Sequence, residues 1–304
     1  MEYVILDLEW DNVYFTPEKR FINQILQIGA VRLSETFEII DTFEATICSS
    51  VSNKVSSRFT ELTGITTEKM LLGIPLEKAV EEYNCFSKGA EVTLTWSNTD
   101  LYTIAANQET LLKDEIKFEF NNYLDLQKLV QGELISRGYE SKNQISLEGA
   151  ATLLGIDTLG FELHTALDDS LLCAELLKKC YVKEHFDALV RDARRPDFFA
   201  RLSFKAYPIS SLKDKNIDKK QLEFYCPECG GKAERKSGYK YRNRWFSANF
   251  RCKKCGYKFS GRVSFKKTFD GVDVKRRTCE FYRKKRKKDN ELQSLPENVR
   301  VEQN

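Results

Sequence analysis

The chain lacks any apolar stretch near twenty residues, the length that a membrane-spanning helix needs. It also lacks the apolar core of a secretory signal, because its first hydrophobic run is interrupted at once by Asp7 and Glu9. No internal repeat is visible, which argues against a solenoid or a propeller. Its 304 residues are 41% hydrophobic and 31% charged, a composition that excludes disorder throughout. We therefore expect a soluble, cytoplasmic protein of one or two packed domains.

The nine cysteines are an odd number, and without a secretory signal they favour metal ligands or free thiols over disulfides. Four of them, Cys226, Cys229, Cys252 and Cys255, form two Cys-x-x-Cys-Gly motifs separated by 22 residues. This spacing predicts one structural Zn²⁺ in a closed tetrahedral site, with each glycine permitting a tight turn. A redox role for either pair is the alternative. The remaining cysteines are expected to be buried or free thiols, namely Cys48, Cys85, Cys173, Cys180 and Cys279.

The net charge of +3 hides an uneven distribution. Residues 201–304 carry a balance of +17, whereas residues 1–200 carry −14. A basic part joined to an acidic body is typical of a protein that attracts a polyanion, because neutralising phosphates drives nucleic-acid affinity. A merely solubilising tail is the alternative. The charge distribution therefore favours nucleic acid as the partner.

Hydrophobic patterning divides the chain into four segments and predicts an α/β fold. Three strand-like runs come first, at 4–8, 25–33 and 36–46. Helical patterns at 57–63, 76–86 and 102–112 then alternate with another strand at 92–96, which indicates a mixed sheet covered by helices. The predicted segments are a main α/β domain at 1–182, a helical or linker connector at 183–220, a four-cysteine zinc ribbon at 221–262 and a basic, partly disordered tail at 263–304. The tail includes six consecutive basic residues at 283–288.

Acidic side chains occur where a core would otherwise be expected. Asp7 and Glu9 are two apart in a strand and so project from the same face. Asp169 lies on the apolar stripe of a predicted helix at 165–181, with Leu172 and Cys173. Buried carboxylates repel one another unless a cation lies between them, so this pattern predicts a divalent metal site. A strand that ends with its acids in water is the alternative for Asp7 and Glu9.

Two further polar residues lie beside helix starts. Asp100 opens the helix after the predicted strand 92–96, a position where aspartate ordinarily acts as a cap. His164, one of only two histidines, precedes the helix of Asp169, where it can reach the same cavity and titrate near neutral pH. The other histidine, His185, lies on a charged helix. A structural role is the alternative for His164, since a lone histidine is more often structural than catalytic. Asp168 is expected to form a capping pair with Thr165.

These segments together resemble the DnaQ-like 3′–5′ exonucleases of the DEDDh type, which have a ribonuclease H-like fold. The resemblance covers residues 1–182. It rests on Asp7-x-Glu9, Leu26-Gln27-Ile28-Gly29-Ala30-Val31, Glu61-Leu62-Thr63-Gly64-Ile65, Asp100, Ser146-Leu147 with Leu154-Gly155-Ile156, and His164-x-Ala166-x-x-Asp169. Trp10 departs from the common pattern, which has a small or hydroxyl residue after the glutamate. The most similar subgroup contains exoribonucleases that trim RNA ends.

The resemblance implies an active site and a mechanism. Asp7, Glu9, Asp100 and Asp169 would hold two divalent ions, Mg²⁺ or Mn²⁺, and His164 would be the general base for phosphodiester hydrolysis. Asp100 rests on the shortest motif, and Asp114 and Asp125 are the fallback candidates.

The segment between the cysteine motifs alternates cations with aromatic rings. Such a surface suits single-stranded nucleic acid, whose phosphates meet Lys and Arg while its bases stack on rings. About half of the rings are expected in the ribbon's own small core. The candidate nucleic-acid-binding residues are Lys240, Arg242, Arg244, Trp245 and Arg251.

The leading hypothesis is a metal-dependent 3′–5′ exonuclease acting on RNA or single-stranded DNA, with the substrate held by the ribbon and the basic tail. The first alternative is a non-catalytic nucleic-acid-binding adaptor on a nuclease scaffold. The second is a zinc-ribbon partner of a ribosome or polymerase.

Overall fold

The computed structural model describes residues 1–112, 116–139 and 143–281. The chain divides into two compact units, Met1–Ser203 and Phe204–Asn304, and this division falls inside the predicted connector 183–220. Among the described helices, none combines the length and the hydropathy needed to cross a membrane.

The first unit is built on a six-stranded mixed sheet. Its strands are β1 (Tyr3–Phe15), β2 (Arg20–Leu33), β3 (Ile39–Thr46), β4 (Val92–Thr95), β5 (Asn122–Asp125) and β6 (Arg191–Asp192). The sheet order is β3-β2-β1-β4-β5-β6. The first three strands form an antiparallel meander, β4 and β5 continue parallel to β1, and β6 closes the edge antiparallel to β5.

Helices cover both faces of this sheet. They are α1 (Ser57–Thr63), α2 (Thr67–Leu71), α3 (Leu76–Ser87), α4 (Thr99–Thr110), α5 (Leu126–Ser136), α6 (Leu147–Leu153), α7 (Ala166–Cys180), α8 (Lys183–Leu189) and α9 (Phe198–Ser203). Residues of α3, α4 and α9 share one apolar cluster, and residues of α5, α7 and α8 share another. The predicted α/β class, with a mixed sheet between helices, is confirmed.

Strand β1 lies at the centre because both of its faces are apolar at its start. Val4 and Leu6 are buried in one cluster, whereas Tyr3 and Ile5 are buried in the other. The strand continues beyond the predicted 4–8, since its backbone goes on pairing with β2 as far as Phe15. Local patterns did not predict α2, β5 or α5. The first two are only five and four residues long, and α5 carries Gly132 in its interior, a residue of low helix propensity.

The second unit contains a twisted antiparallel sheet. Its strands are β7 (Tyr207–Pro208), β8 (Ala233–Arg235), β9 (Lys240–Arg242), β10 (Trp245–Cys252), β11 (Lys258–Lys267) and β12 (Val272–Glu280). The main order is β12-β11-β10-β8, while β9 pairs with β10 and β7 with β11. Phe246, Phe250, Phe259 and Phe265 fill its core. Residues 263–280, assigned to the tail by sequence, form the end of β11 and all of β12, because alternate residues such as Val263 and Phe265 complete this core. The basic run 283–288 lies outside the described residues.

Candidate active site and thiolate centre

Three carboxylates from two elements converge in the first unit. Asp7 and Glu9 lie on β1, and Asp169 lies in the first turn of α7. One oxygen from each lies within 4.8 Å of the others. Alternation along β1 turns Asp7 and Glu9 to the side on which Ile5 packs with residues of α7. The sequence predicted this convergence from the strand alternation and from the position of Asp169 on its helix.

Helix α7 packs directly on strand β2 at Gly29. A Cβ added at Gly29 would lie 2.1 Å from the carbonyl carbon of Ala166, so no side chain fits between the strand and the helix. The Ser170 hydroxyl donates a hydrogen bond to the Gly29 carbonyl oxygen at 3.1 Å. Gly29 is the cross-strand partner of Asp7, so this close packing brings the helix of Asp169 over the acids of β1.

Gln27 fixes the first turn of the same helix. Its Oε1 accepts a hydrogen bond from the Ala166 N–H at 3.1 Å, and its Nε2 donates to Glu44 Oε1 at 2.9 Å. The side chain is buried, and Gln27 is the cross-strand partner of Glu9. In the sequence, Gln27 and Gly29 stand out only as part of a family motif, whereas the contacts show that both residues position helix α7.

Asp100 lies in the first turn of α4 and is 4% exposed. It is not part of the group of three carboxylates described above. The nearby backbone of Leu8 and of Asp100 itself acts to lower the pKa of this carboxyl, against the larger effect of burial. Its charge nevertheless acts on the group, since repulsion from Asp100 is the largest charge effect on Asp7. The structure therefore places all four predicted acids in one electrostatically coupled region.

The pKa values of the four acids are all raised above their usual range. Burial, followed by repulsion from Asp100 and Asp169, raises the pKa of Asp7 well above its usual range. Burial and repulsion from Asp169 raise the pKa of Glu9 to about 8. Burial raises the pKa of Asp100 to about 7 and also raises that of Asp169. Carboxylates held together against their own repulsion fit a divalent cation with hard oxygen ligands, such as Mg²⁺ or Mn²⁺.

His164 immediately precedes α7 and is exposed. It adopts the left-handed backbone conformation, with φ +69°, and its backbone N–H donates a hydrogen bond to Asp169 Oδ1 at 3.4 Å. Burial raises the pKa of Asp169, whereas this hydrogen bond and the charge of His164 act to lower it. Thr165 is the N-cap, as predicted, and its hydroxyl accepts the N–H of Asp168 at 3.3 Å. His164 thus contacts the acidic cluster through its backbone and presents its side chain to solvent.

The fallback acids have other positions. Asp125 caps α5 by accepting the N–H of Lys128 at 3.1 Å, and it also forms an ion pair with the Lys128 ammonium at 2.8 Å. This carboxylate already has a cationic partner. Asp114 lies outside the described residues.

Four cysteines of the second unit form a compact thiol cluster. The Sγ atom of Cys229 lies 3.5 Å from that of Cys252 and 3.4 Å from that of Cys255, and the Sγ atoms of Cys226 and Cys255 are 3.6 Å apart. All four lie within 4.8 Å of one another. Four sulfur atoms that bind zinc tetrahedrally, with Zn–S bonds of about 2.3 Å, lie about 3.8 Å from one another. The cluster therefore fits a zinc ribbon.

The backbone of each cysteine turn supports metal binding. Gly230 and Gly256 have φ of +69° and +77°, conformations that glycine adopts without strain. The N–H groups of Lys254 and Cys255 point at Cys252 Sγ, at 3.3 and 3.5 Å. The hydrogen bond from the Cys255 backbone is the main reason that the pKa of Cys252 falls to about 6. A thiolate is thereby favoured, the form that ligates a metal.

The candidate nucleic-acid-binding residues occupy one hairpin of this unit. Lys240 and Arg242 lie on β9, Trp245 and Arg251 lie on β10, and Arg244 lies in the turn between these strands. The four cationic side chains are exposed, and Trp245 is half-buried. Of the neighbouring rings, Tyr239 and Phe246 pack in the core, as expected for about half of them.

Carboxylates converging at the central strand of a helix-flanked mixed sheet define a nuclease-type site. The model of the exonuclease family (RNase_T) matches residues 4–177, and the chain belongs to this family. The membership confirms the predicted resemblance to exonucleases, and the fold of the first unit is shared with a DEDDh family member of known structure.

Solved structures with a similar fold include three nucleases. A full-length 3′-exonuclease gives a TM-score of 0.51 at 19% identity, covering 64% of this chain and 92% of that one. The nuclease domain of 3′hExo, a DEDDh family member bound to rAMP, gives 0.50 at 22% identity, with coverage of 59% and 90%. Cell-death related nuclease 4 gives 0.50 at 19% identity, with coverage of 59% and 62%.

Two curated relatives are DNA polymerases III of the PolC type. The one from Thermotoga petrophila is 26% identical over 175 residues, which are 57% of this chain and 11% of that protein. The one from Caldanaerobacter subterraneus subsp. tengcongensis is 28% identical over 183 residues, 60% of this chain and 12% of that protein. The chain therefore spans only about an eighth of the length of these relatives.

Proposed function

We propose that this member of the exonuclease family is a metal-dependent 3′–5′ exonuclease that hydrolyses phosphodiester bonds in RNA or single-stranded DNA. The observation that carries the proposal is the convergence of Asp7, Glu9 and Asp169 within 4.8 Å, with the buried Asp100 coupled to them. Four mutually repelling acids gathered beside the central strand would be stabilised by a cationic cofactor that neutralises their charge.

Asp7, Glu9, Asp100 and Asp169 would hold two Mg²⁺ or Mn²⁺ ions. When bound, such ions supply Lewis-acid activation of water and neutralise charge on the phosphate. In the second unit the four thiolates would hold one structural Zn²⁺. The carboxylate donors and the thiolate donors differ in hardness, so each site selects its own ion.

His164 would accept the proton of the attacking water at a ring nitrogen. Its position before α7 supports this role. The backbone N–H of His164 donates a hydrogen bond to Asp169 and holds the residue beside the acidic cluster, while its side chain stays exposed. An imidazole titrates close to neutral pH and can both take and release a proton there.

The zinc ribbon and the basic tail would hold the nucleic acid. Support comes from the balance of +17 over residues 201–304 and from the exposed cations of β9 and β10. The proposal covers both RNA and DNA, because none of the residues that the structure describes has an evident role in 2′-hydroxyl recognition.

The test is an incubation of 3′- and 5′-end-labelled RNA and DNA single strands with the purified protein and Mg²⁺ or Mn²⁺. Release of mononucleotides from the 3′ end, abolished by Asp7→Asn, is the expected result. Tight binding without shortening, in protein with full zinc content, would instead establish the adaptor alternative. Running both polymers in parallel identifies the preferred substrate.

A further inference from the structure

The sheet of the second unit has two chemically different faces. Phe246, Phe250, Val263 and Phe265 alternate onto one face and form the apolar core of this unit. The residues between them project from the opposite face, because side chains along a strand alternate. We call this opposite side the basic sheet face.

Cross-strand register shows which residues share the basic sheet face. Trp245 is opposite Arg242, Ser247 is opposite both Lys240 and Arg262, and Arg262 is opposite Arg277. The same alternation adds cations toward both ends of the face. Its basic members are Lys240, Arg242, Arg251, Lys258, Arg262, Lys266, Lys275 and Arg277.

Acidic side chains are scarce on this face. By the same register, Glu234 lies opposite Arg251 and Asp273 lies opposite Lys266. The small polar residues Ser247, Asn249 and Ser260 separate the cations. Basic side chains that are not balanced by acids give the face a strong positive potential, which attracts a polyanion.

Trp245 and Arg277 form a stacked pair near the middle of the face. The Arg277 guanidinium carbon lies 4.4 Å from the centre of the Trp245 ring. Both a ring and a guanidinium plane can stack on a nucleobase. The pair therefore offers a platform that joins stacking to positive charge.

Arg262 lies in an electrostatically unfavourable position on this face. It lies directly opposite Arg277, an arrangement of like charges that destabilises a sheet. Its Nε is buried and has no hydrogen-bond partner among the described residues. A phosphate bound by the guanidinium ends of the two arginines would relieve the repulsion.

We propose that the basic sheet face binds single-stranded nucleic acid, with a base stacked on the Trp245–Arg277 pair and phosphates bound by Arg262 and the flanking cations. This deepens the proposed function, on which it rests for the kind of ligand. A single strand fits better than a duplex because its bases are free to stack on protein groups. Sequence reasoning found the β9–β10 part and missed β11 and β12, although alternating cations at 262, 275 and 277 were a usable signal.

The test measures binding by fluorescence anisotropy, with the full-length, zinc-loaded protein carrying Asp7→Asn to prevent hydrolysis. The probe is a labelled oligonucleotide of about 12 residues, within the range of sites that single-strand-binding folds cover. We expect Trp245→Leu to weaken binding roughly tenfold with an unchanged salt dependence. Arg262→Gln with Arg277→Gln should weaken it at least about tenfold and reduce the salt slope by about 1.4.

The matched control is Lys219→Gln with Lys220→Gln, which removes the same charge from an exposed turn of the same unit. This control should change affinity less than about threefold. Equal losses of affinity in the control and in the arginine variant would overturn the proposal. It would also be overturned if the protein bound a duplex or polyglutamate as tightly as it binds the single-stranded oligonucleotide. Zinc content and circular dichroism identify a misfolded variant, and Lys275→Gln then serves as the replacement.

A second measurement separates this proposal from the proposed catalysis. Hydrolysis of a dinucleotide, which is too short to occupy more than the active site, should be unchanged in the arginine variant and abolished by Asp7→Asn. Loss of long-strand binding without any nuclease activity in the parent protein would leave the face established and the catalytic proposal wrong. Normal long-strand binding by all the face variants would overturn the proposal for the basic sheet face and would leave the catalytic proposal unaffected.

Discussion

The side-chain oxygen of Gln27 accepts the backbone N–H of Ala166, so strand β2 holds the first turn of the helix that carries Asp169. Gln27→Met should keep the buried volume but lose this bond. We expect kcat to fall about tenfold, and the Mg²⁺ concentration for half-maximal activity to rise, as misplaced ligands cost catalysis. Titrations of activity against Mg²⁺ measure both quantities.

Gln24 provides the control for that variant. It is buried in the same strand and accepts a hydrogen bond from the Ser49 hydroxyl at 2.8 Å, away from α7. Gln24→Met should cost similar stability without changing the Mg²⁺ requirement. If both variants altered the requirement alike, Gln27 would have no special positioning role.

Gly29→Ala should destabilise the protein by about 3 kcal/mol or more, because the new methyl group overlaps the backbone of Ala166. Gly132→Ala is the matched substitution, since a Cβ there meets nothing within 4 Å in the middle of α5. That change should stabilise the protein by about 1 kcal/mol. Urea unfolding of the three proteins gives both values, and equal stability of Gly29→Ala and wild type would contradict the tight packing.

Stability without added Mg²⁺ or Mn²⁺ should fall as the pH rises. The folded-state pKa of Glu9, about 8, and that of Asp100, about 7, exceed the ordinary values of about 4. The folded protein thus favours the protonated acids, and their contribution is fully present below about pH 4 and lost as the pH rises through about 7 to 8. Urea midpoints between about pH 5 and pH 9 measure this loss. Glu9→Gln should make it smaller, and a midpoint independent of pH would contradict the coupled acidic cluster.

His164→Ala should lower kcat by about two to four orders of magnitude with little effect on folding, the usual scale for a general base. His185→Ala is the control, because His185 pairs with Glu133 on the α5 and α8 side of the unit. Its kcat should stay within about threefold of wild type. Near-normal turnover of His164→Ala would exclude the proposed role of His164.

Removal of the thiolate-bound metal should unfold the second unit, because the free energy of metal binding contributes directly to the folding of a small domain. Cys252→Ser should have the same effect, whereas Cys279→Ser, outside the thiol cluster, should not. Protease digestion with and without a chelator follows the unfolding through cleavage at β10 and β11. Unchanged protection after complete metal loss would contradict a structural role.

Much of the first unit followed from local patterns. The helix at 57–63 was predicted to the residue, and the stripe of Leu172, Cys173 and Leu176 in α7 is buried as expected. The strand β5 was missed because two of its four residues, Asn122 and Asp125, are of types that are uncommon in strands. The roles of the site residues, the segment boundaries and the cytoplasmic location stay predictions.

The sequence by itself determined the acids of β1, the spacing of the four cysteines and the family motifs, because these depend on periods of a few residues along one element. Only the tertiary structure decided that Gly29 brings α7 against the sheet, and that Arg262 and Arg277 share a face with Trp245. The physical reason is that strand register and close packing join residues far apart in the chain, and a local pattern does not encode which partner each strand meets.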